Sequence, residues 1–234
     1  SPADPALPIH SPHPYQETDP VPAVCATAEF DAARQALARG QTAQARAQAA
    51  TILVFGDSIS AAYGLEANTG WVTLLQQRLD KVAPGQHRVI NGSLSGETTA
   101  GGKGRLPPLL AKHKPDLVIL ALGGNDGLRG QPPKAIAANL RQMIAASRAS
   151  GASVLLFAIR IPPNYGRVYT EAFEKVFVTV STDEKVPLLP FFLANARGDL
   201  VALQADGIHP TAAAQPVLLD NAWPLIRKHL SPRR

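Results

Sequence analysis

The sequence predicts an α/β domain, a parallel sheet with helices on both faces. Two observations carry that prediction. From Thr51 onward, short apolar and β-branched runs alternate with helical patterns, and strands separated by helices build right-handed βαβ units. The runs are also continuous rather than alternating, as in strands buried on both faces. The 234 residues, 45% hydrophobic and 18% charged, suit one such domain plus an appendage.

The appendage comes first, over residues 1–50. Pro2, Pro5, Pro8, Pro12, Pro14, Pro20 and Pro22 keep residues 1–24 extended or irregular. His10 and His13 have no third ligand nearby and read as solvated. Residues 27–49 are rich in Ala, Arg and Gln. They predict a helical extension capped at Thr27 or Asp31 and interrupted at Gly40. Its one narrow apolar face, Phe30 and Leu37, packs on this domain or on an oligomeric partner.

Residues 51–234 form the α/β domain. Thr51–Phe55 is the first strand, ended by Gly56. A helix over about 70–82 carries Trp71, Leu74, Leu75 and Leu79 on one stripe and stops at Pro84-Gly85. Val89–Asn91 is a short second strand. Residues 96–113 are a Gly-rich loop running into a helix with Leu106, Leu109 and Leu110. Asp116–Leu122 is a third buried strand. Residues 132–150 form a helix with proline in its first turn, where no N–H is needed. Val154–Ile159 is the fourth strand, and Val168–Ser181 is helical. Val186–Phe192 holds a fifth strand, placed at a sheet edge by Pro187 and Pro190. Residues 211–230 close the chain as a helix bent at Pro216 or Pro224.

Composition excludes several classes. Net charge is only +5, without a basic stripe interleaved with aromatics, which argues against nucleic-acid binding. Cys25 is the only cysteine, so no intrachain disulfide forms. No apolar run approaches the roughly 20 residues that span a bilayer. No signal peptide is evident, and the chain opens on Ser1 rather than Met; a removed leader and a trimmed chain both fit.

Four turns follow predicted strands: Gly56-Asp57-Ser58, Ser93-Leu94-Ser95-Gly96-Glu97-Thr98, Gly123-Gly124-Asn125-Asp126 and Asp206-Gly207-Ile208-His209-Pro210. Loops after successive parallel strands emerge on one edge, where ligands collect. Acyl transfer needs a nucleophile, a base, a group orienting the base, and donors for the oxyanion. Ser58 suits the nucleophile and His209 the base. Asp206, three residues before His209, can reach back to the imidazole. Gly96 N–H, the Asn125 amide and Ser58 N–H can donate to an oxyanion.

Each motif alone also reads as a plain turn, and His209 as a structural histidine; the order and spacing of all four are what is specific. Ser93 and Ser95 are rival nucleophiles that fit no better and serve the turn aiming Gly96. Asp57 and Asp126 read as turn carboxylates. No Gly-x-Ser-x-Gly surrounds Ser58, which excludes the nucleophile elbow of α/β-hydrolases.

With these residues in order, residues 51–230 resemble the SGNH hydrolases, the GDSL-type serine esterases, and most closely their thioesterase/lysophospholipase subgroup. The four blocks fall on Ser58, Gly96, Asn125 and His209, with Asp206 in the family's Asp-x-x-His arrangement. Two further stretches, Gly123–Gly130 and Ile159–Gly166, resemble the same subgroup. Ile59 stands where the family usually has Leu, a conservative packing change.

The resemblance implies a three-layer α/β/α sandwich with a five-stranded parallel sheet of flavodoxin-like kind. It also implies a catalytic Ser58, Asp206 and His209, and an oxyanion hole of Ser58 N–H, Gly96 N–H and Asn125. The expected activity is hydrolysis of carboxylic esters or thioesters, of lysophospholipase, thioesterase or arylesterase type, with no metal and no cofactor. Loops near Leu94, Leu128 and Tyr165 are expected to set the substrate pocket. The alternatives are a short-chain or acetyl-carbohydrate esterase and, in a different class, a non-catalytic module holding phosphate or a nucleotide. The expected location is periplasmic or secreted, with peripheral contact to lipid.

Overall fold

In the computed structural model of the chain, residues 49–230 are described. The extension read over residues 1–50, with its helix over 27–49, its histidines and Cys25, lies outside them apart from Ala49 and Ala50.

Five strands form one all-parallel sheet in the order β2-β1-β3-β4-β5. They are β1 (Ala50–Gly56), β2 (His87–Asn91), β3 (Leu117–Ala121), β4 (Ser153–Phe157) and β5 (Leu188–Leu189). The central strands bury nearly everything: every residue of β3, and every residue of β1 after Ala50. That explains their unbroken apolar sequence. The flanking β2 buries none of its residues fully and reads less clearly as a strand. β5 is two residues long and stands at the sheet edge. Pro187 and Pro190 flank it, and proline has no N–H to give a ladder.

Helices cover both faces, as right-handed crossovers require. On one face Trp71–Val82 packs against Gln215–His229; on the other Thr99–His113, Pro133–Ala149 and Arg167–Glu184 lie side by side. Each buries one stripe. In Pro133–Ala149 the stripe is Ile136, Leu140, Met143 and Ile144; in Arg167–Glu184 it is Phe173, Val176, Phe177 and Val180. Truncating one such residue, as in Leu140→Ala, costs about 2–5 kcal/mol through lost transfer energy and the cavity left behind.

Two local features differ from the sequence reading. The final helix begins at Gln215, after a 3₁₀ turn over Ala212–Ala214, with Pro216 in its first turn. Residues 124–128 are not a plain turn but a short helix. Gly123 makes it possible by turning the chain at φ 122°, and a Cβ there would stand 3.0 Å from the Phe177 ring.

The strand order places the topological switch between β1 and β3. β1 connects to β2 on one side, and the chain then crosses to β3 on the other. The loops leaving the carboxyl ends of β1 and β3 therefore open a crevice that no connection covers.

Candidate active site

Gly56 ends β1 because nothing larger fits. A Cβ there would lie 2.9 Å from Ser60 Oγ and 3.2 Å from the Ala121 carbonyl. The chain then coils tightly, with Ala61 N–H donating to the Asp57 carbonyl at 2.9 Å and Tyr63 N–H to the Ser58 carbonyl at 3.0 Å. The loop is anchored below by Trp71, whose indole N–H donates to Ser60 Oγ at 3.2 Å. Gln215 Oε1 in turn accepts from Trp71 N–H at 3.0 Å, satisfying one donor of a helix start that has no side-chain cap. Ser58 is thus held at the crevice by a braced turn. Ser93 Oγ accepts from Gly56 N–H at 3.1 Å. Ser93, one of the two rival serines, is thus a brace between the loops after β1 and β2.

Asp57 turns inward and is buried. Its Oδ1 accepts from Ile59 N–H at 3.0 Å. Burial pushes its pKa up to about 6, against the opposing pull of backbone N–H groups.

Residues 203–210 form a narrow loop closed by a bridge between Leu203 and Pro210. Within it Asp206 Oδ1 accepts from Ile208 N–H at 2.9 Å and His209 N–H at 3.0 Å. Its Oδ2 accepts from His209 Nδ1 at 2.5 Å. The backbone N–H of His209 and its imidazole, then the Ile208 N–H, hold the Asp206 carboxyl down to about 2. An ionised carboxylate on Nδ1 fixes the proton there and leaves Nε2 as an acceptor. Nε2 stands 2.8 Å from Ser58 Oγ, across 151 positions of sequence.

Gly96 occupies φ +78°, a backbone conformation that favours glycine, and a Cβ there would face open space. Its N–H and that of Ser58 donate to no protein acceptor among the described residues. Asn125, on the short helix after β3, gives one Nδ2 proton to the Glu97 carbonyl at 2.9 Å. Glu97 is fixed by Arg105, whose Nε lies 2.7 Å from Glu97 Oε2. The Arg105 guanidinium lies 4.4 Å from the Phe55 ring centroid, and its Nη1 donates to the Gly92 carbonyl at 2.7 Å. Asp126 is buried and accepts from Thr99 N–H and Oγ at 2.9 and 2.7 Å. It joins the short helix to the start of helix Thr99–His113.

An apolar groove of about 400 Å³ opens beside these residues. Ile59, Leu128, Ile159, Ile161, Leu193 and Ile208 are among its walls. Arg160 also lines it, its guanidinium 3.9 Å over the Phe191 ring. Of the three residues expected to set the pocket, Leu128 lines the groove. Leu94 and Tyr165 do not, and are 49% and 37% exposed. Leu94 lies in the loop after β2, and Tyr165 ends a 3₁₀ turn over Pro163–Tyr165.

Two residues at the histidine loop escaped the sequence reading. The Tyr63 ring packs on His209 with centroids 4.5 Å apart. The Gln204 side chain bridges the loops that carry Ser58 and His209. Neither belongs to a motif, and only the folded loops bring them together. Among the described residues, no group of three or more His, Cys, Asp or Glu side chains could hold a metal. No helix among them is long and apolar enough to cross a membrane.

Comparison with known proteins follows the same lines. The sequence model of the GDSL-like Lipase/Acylhydrolase family matches residues 54–216. Esterase TesA of Pseudomonas aeruginosa is 54% identical over 186 residues, covering 80% of this chain and 91% of that protein. Thioesterase 1/protease 1/lysophospholipase L1 of Escherichia coli K12 is 42% identical over 186 residues, covering 80% and 86%. The crystal structure of the psychrotrophic esterase EstA from Pseudoalteromonas, inhibited by monoethylphosphonate, superposes with a TM-score of 0.71. It is 42% identical and covers 76% of this chain and 97% of that one.

Proposed function

The chain belongs to the GDSL-like lipase/acylhydrolase family, and from that premise we propose that it cleaves carboxylic esters and thioesters through an acyl-enzyme on Ser58. That it is a carboxylic ester hydrolase agrees with relatives named esterase, arylesterase and thioesterase. The residue roles are our reading. One observation carries them: the unbroken line from Asp206 Oδ2 through the imidazole to Ser58 Oγ, with contacts of 2.5 and 2.8 Å.

The geometry supports the following steps. Ser58 Oγ attacks the acyl carbonyl carbon while its proton passes to His209 Nε2. Asp206, ionised, stabilises the imidazolium that forms and keeps the ring in place. The carbonyl oxygen becomes an oxyanion and takes hydrogen bonds from Ser58 N–H, Gly96 N–H and the second Nδ2 proton of Asn125. On this reading the donors are held by the fold before charge develops, so their bonds strengthen without costing reorganisation. The tetrahedral intermediate collapses, and Nε2 returns the proton to the departing alkoxide or thiolate. Water, deprotonated by the same nitrogen, then attacks the acyl-enzyme, and the acid leaves with Ser58 restored.

The groove supports an apolar acyl chain rather than an acetyl group. Its walls are aliphatic, and burying a methylene is worth about 0.8 kcal/mol. A lysophospholipid or an acyl thioester fits this description, in line with the name of the Escherichia coli relative. A series of p-nitrophenyl esters from acetate to palmitate tests it. Turnover per KM should rise from acetate to a medium chain; a maximum at acetate would favour the short-chain or acetyl-carbohydrate reading. A periplasmic or secreted location belongs to the same proposal, and cell fractionation tests it.

A further inference from the structure

We propose that Gln204 is a positioning residue that couples the nucleophile loop to the histidine loop and so sets the distance across which the proton moves. The proposal rests on the reading of Ser58, His209 and Asp206 given above.

The Gln204 amide spends both its protons on the two loops. Nε2 donates to the Tyr63 carbonyl at 2.9 Å and to the Pro210 carbonyl at 3.0 Å. Tyr63 lies five residues after Ser58, and its own N–H is bonded to the Ser58 carbonyl at 3.0 Å. Pro210 follows His209 directly. The backbone of Gln204 grips the same loop: its N–H donates to the His209 carbonyl at 2.7 Å, and its carbonyl accepts from Gly207 N–H at 2.9 Å. One residue therefore closes the loop that carries the base and ties it to the turn that carries the nucleophile.

Two neighbours fit this role. Gly64, at φ +74°, leaves room for the amide, since a Cβ there would collide with Gln204 Oε1. Tyr63, whose carbonyl the amide holds, lays its ring against the imidazole. Fixing the Tyr63 backbone sets the point from which that ring reaches the imidazole, 4.5 Å between centroids. Gln204 touches neither substrate nor reacting atoms, so its effect on rate passes through geometry. A misplacement of about 1 Å in such a constellation can cost up to a hundredfold in rate.

The test is Gln204→Met, which keeps length and volume but removes both donors, with Gln204→Asn as a shorter donor-bearing control. Rates on p-nitrophenyl acetate are divided by the active sites titrated with a fluorophosphonate. Per-site kcat should fall about tenfold in Gln204→Met with KM within twofold. The fluorophosphonate inactivation rate should fall in parallel. Gln204→Asn, which keeps the amide donors on a stem one methylene shorter, should lose less, and it carries the test if the Met variant does not fold. Tyr63→Leu combined with Gln204→Met should lose little more than the larger single change, because both act on one ring. A per-site kcat within twofold of the parent, with fewer titratable sites, would show a merely structural role and overturn the proposal. Fully additive losses in the double variant would overturn the route through Tyr63. If the parent protein is not labelled at Ser58, the catalytic reading has failed instead, so the two failures are distinguishable.

Discussion

Asn125 Nδ2 donates to the Glu97 carbonyl at 2.9 Å, and this one bond aims the rest of the amide. The carbonyl is itself fixed, because the Glu97 side chain is locked by Arg105. The second amide proton has no acceptor among the described residues, and in the proposed mechanism it meets the developing negative charge. Asn125→Ala should therefore lower kcat roughly a hundredfold with little change in KM, the scale of losing one oxyanion donor. Steady-state kinetics on a p-nitrophenyl ester checks it; a loss below about threefold would argue against the role.

Asp206 binds its charge with two backbone N–H groups and the imidazole, which hold its pKa down to about 2. It keeps that charge throughout the range in which a histidine base works. Asp206→Asn can still accept from the backbone but no longer fixes the proton on Nδ1. Its kcat should fall by on the order of 10³-fold or more, with far-UV circular dichroism unchanged. A loss under about tenfold would remove Asp206 from the catalytic group.

Asp57 behaves in the opposite way. Burial raises its pKa to about 6 from an ordinary 3.8. The folded protein then holds this proton to higher pH than the unfolded chain does. The stability this group contributes is fully present below about 3.8 and is lost as pH rises to about 6. The shift is worth about 3 kcal/mol. Asp57→Asn retains an acceptor for Ile59 N–H and removes the titration. Urea unfolding from pH 4 to pH 7 should show the wild type losing stability relative to the variant as pH rises; parallel curves would contradict this.

Leu128 lines the groove at the end of the short helix after β3. Leu128→Trp fills space that a long acyl chain would need. Hydrolysis of p-nitrophenyl acetate should stay within about threefold, while kcat/KM for the palmitate ester falls about tenfold, the loss of roughly two buried methylenes. Equal effects on both esters would place the acyl chain elsewhere.

How much of this was legible depended on whether the signal was local. β1 announces itself by five apolar or β-branched residues running into Gly56, and the turns after β1 and β3 carry Ser58 and Asn125 in plain view. The parallel sheet then brings those turns to one edge by topology alone. Asp206 and His209 sit three apart, close enough for the spacing itself to suggest a contact. Gln204 and Tyr63 had no such signal, because their bond joins loops 141 positions apart. Leu94 and Tyr165 were read as pocket walls from their place in the chain, yet the direction of a loop side chain is set by packing that no periodicity records. The helix at Gly124–Leu128 looked like a turn because it opens on Gly124-Asn125-Asp126 directly after Gly123 and holds a second glycine at Gly127. Its stability comes from neighbours: a Cβ at Gly127 would press on Ile161 and Phe173, and Asp126 is bonded to Thr99.

The most direct test of the whole account is covalent labelling with a fluorophosphonate, followed by identification of the modified peptide by mass spectrometry. The account predicts one adduct per chain, on Ser58, and both labelling and ester hydrolysis abolished in a folded Ser58→Ala variant. Labelling of another residue, or full turnover in Ser58→Ala, would contradict it.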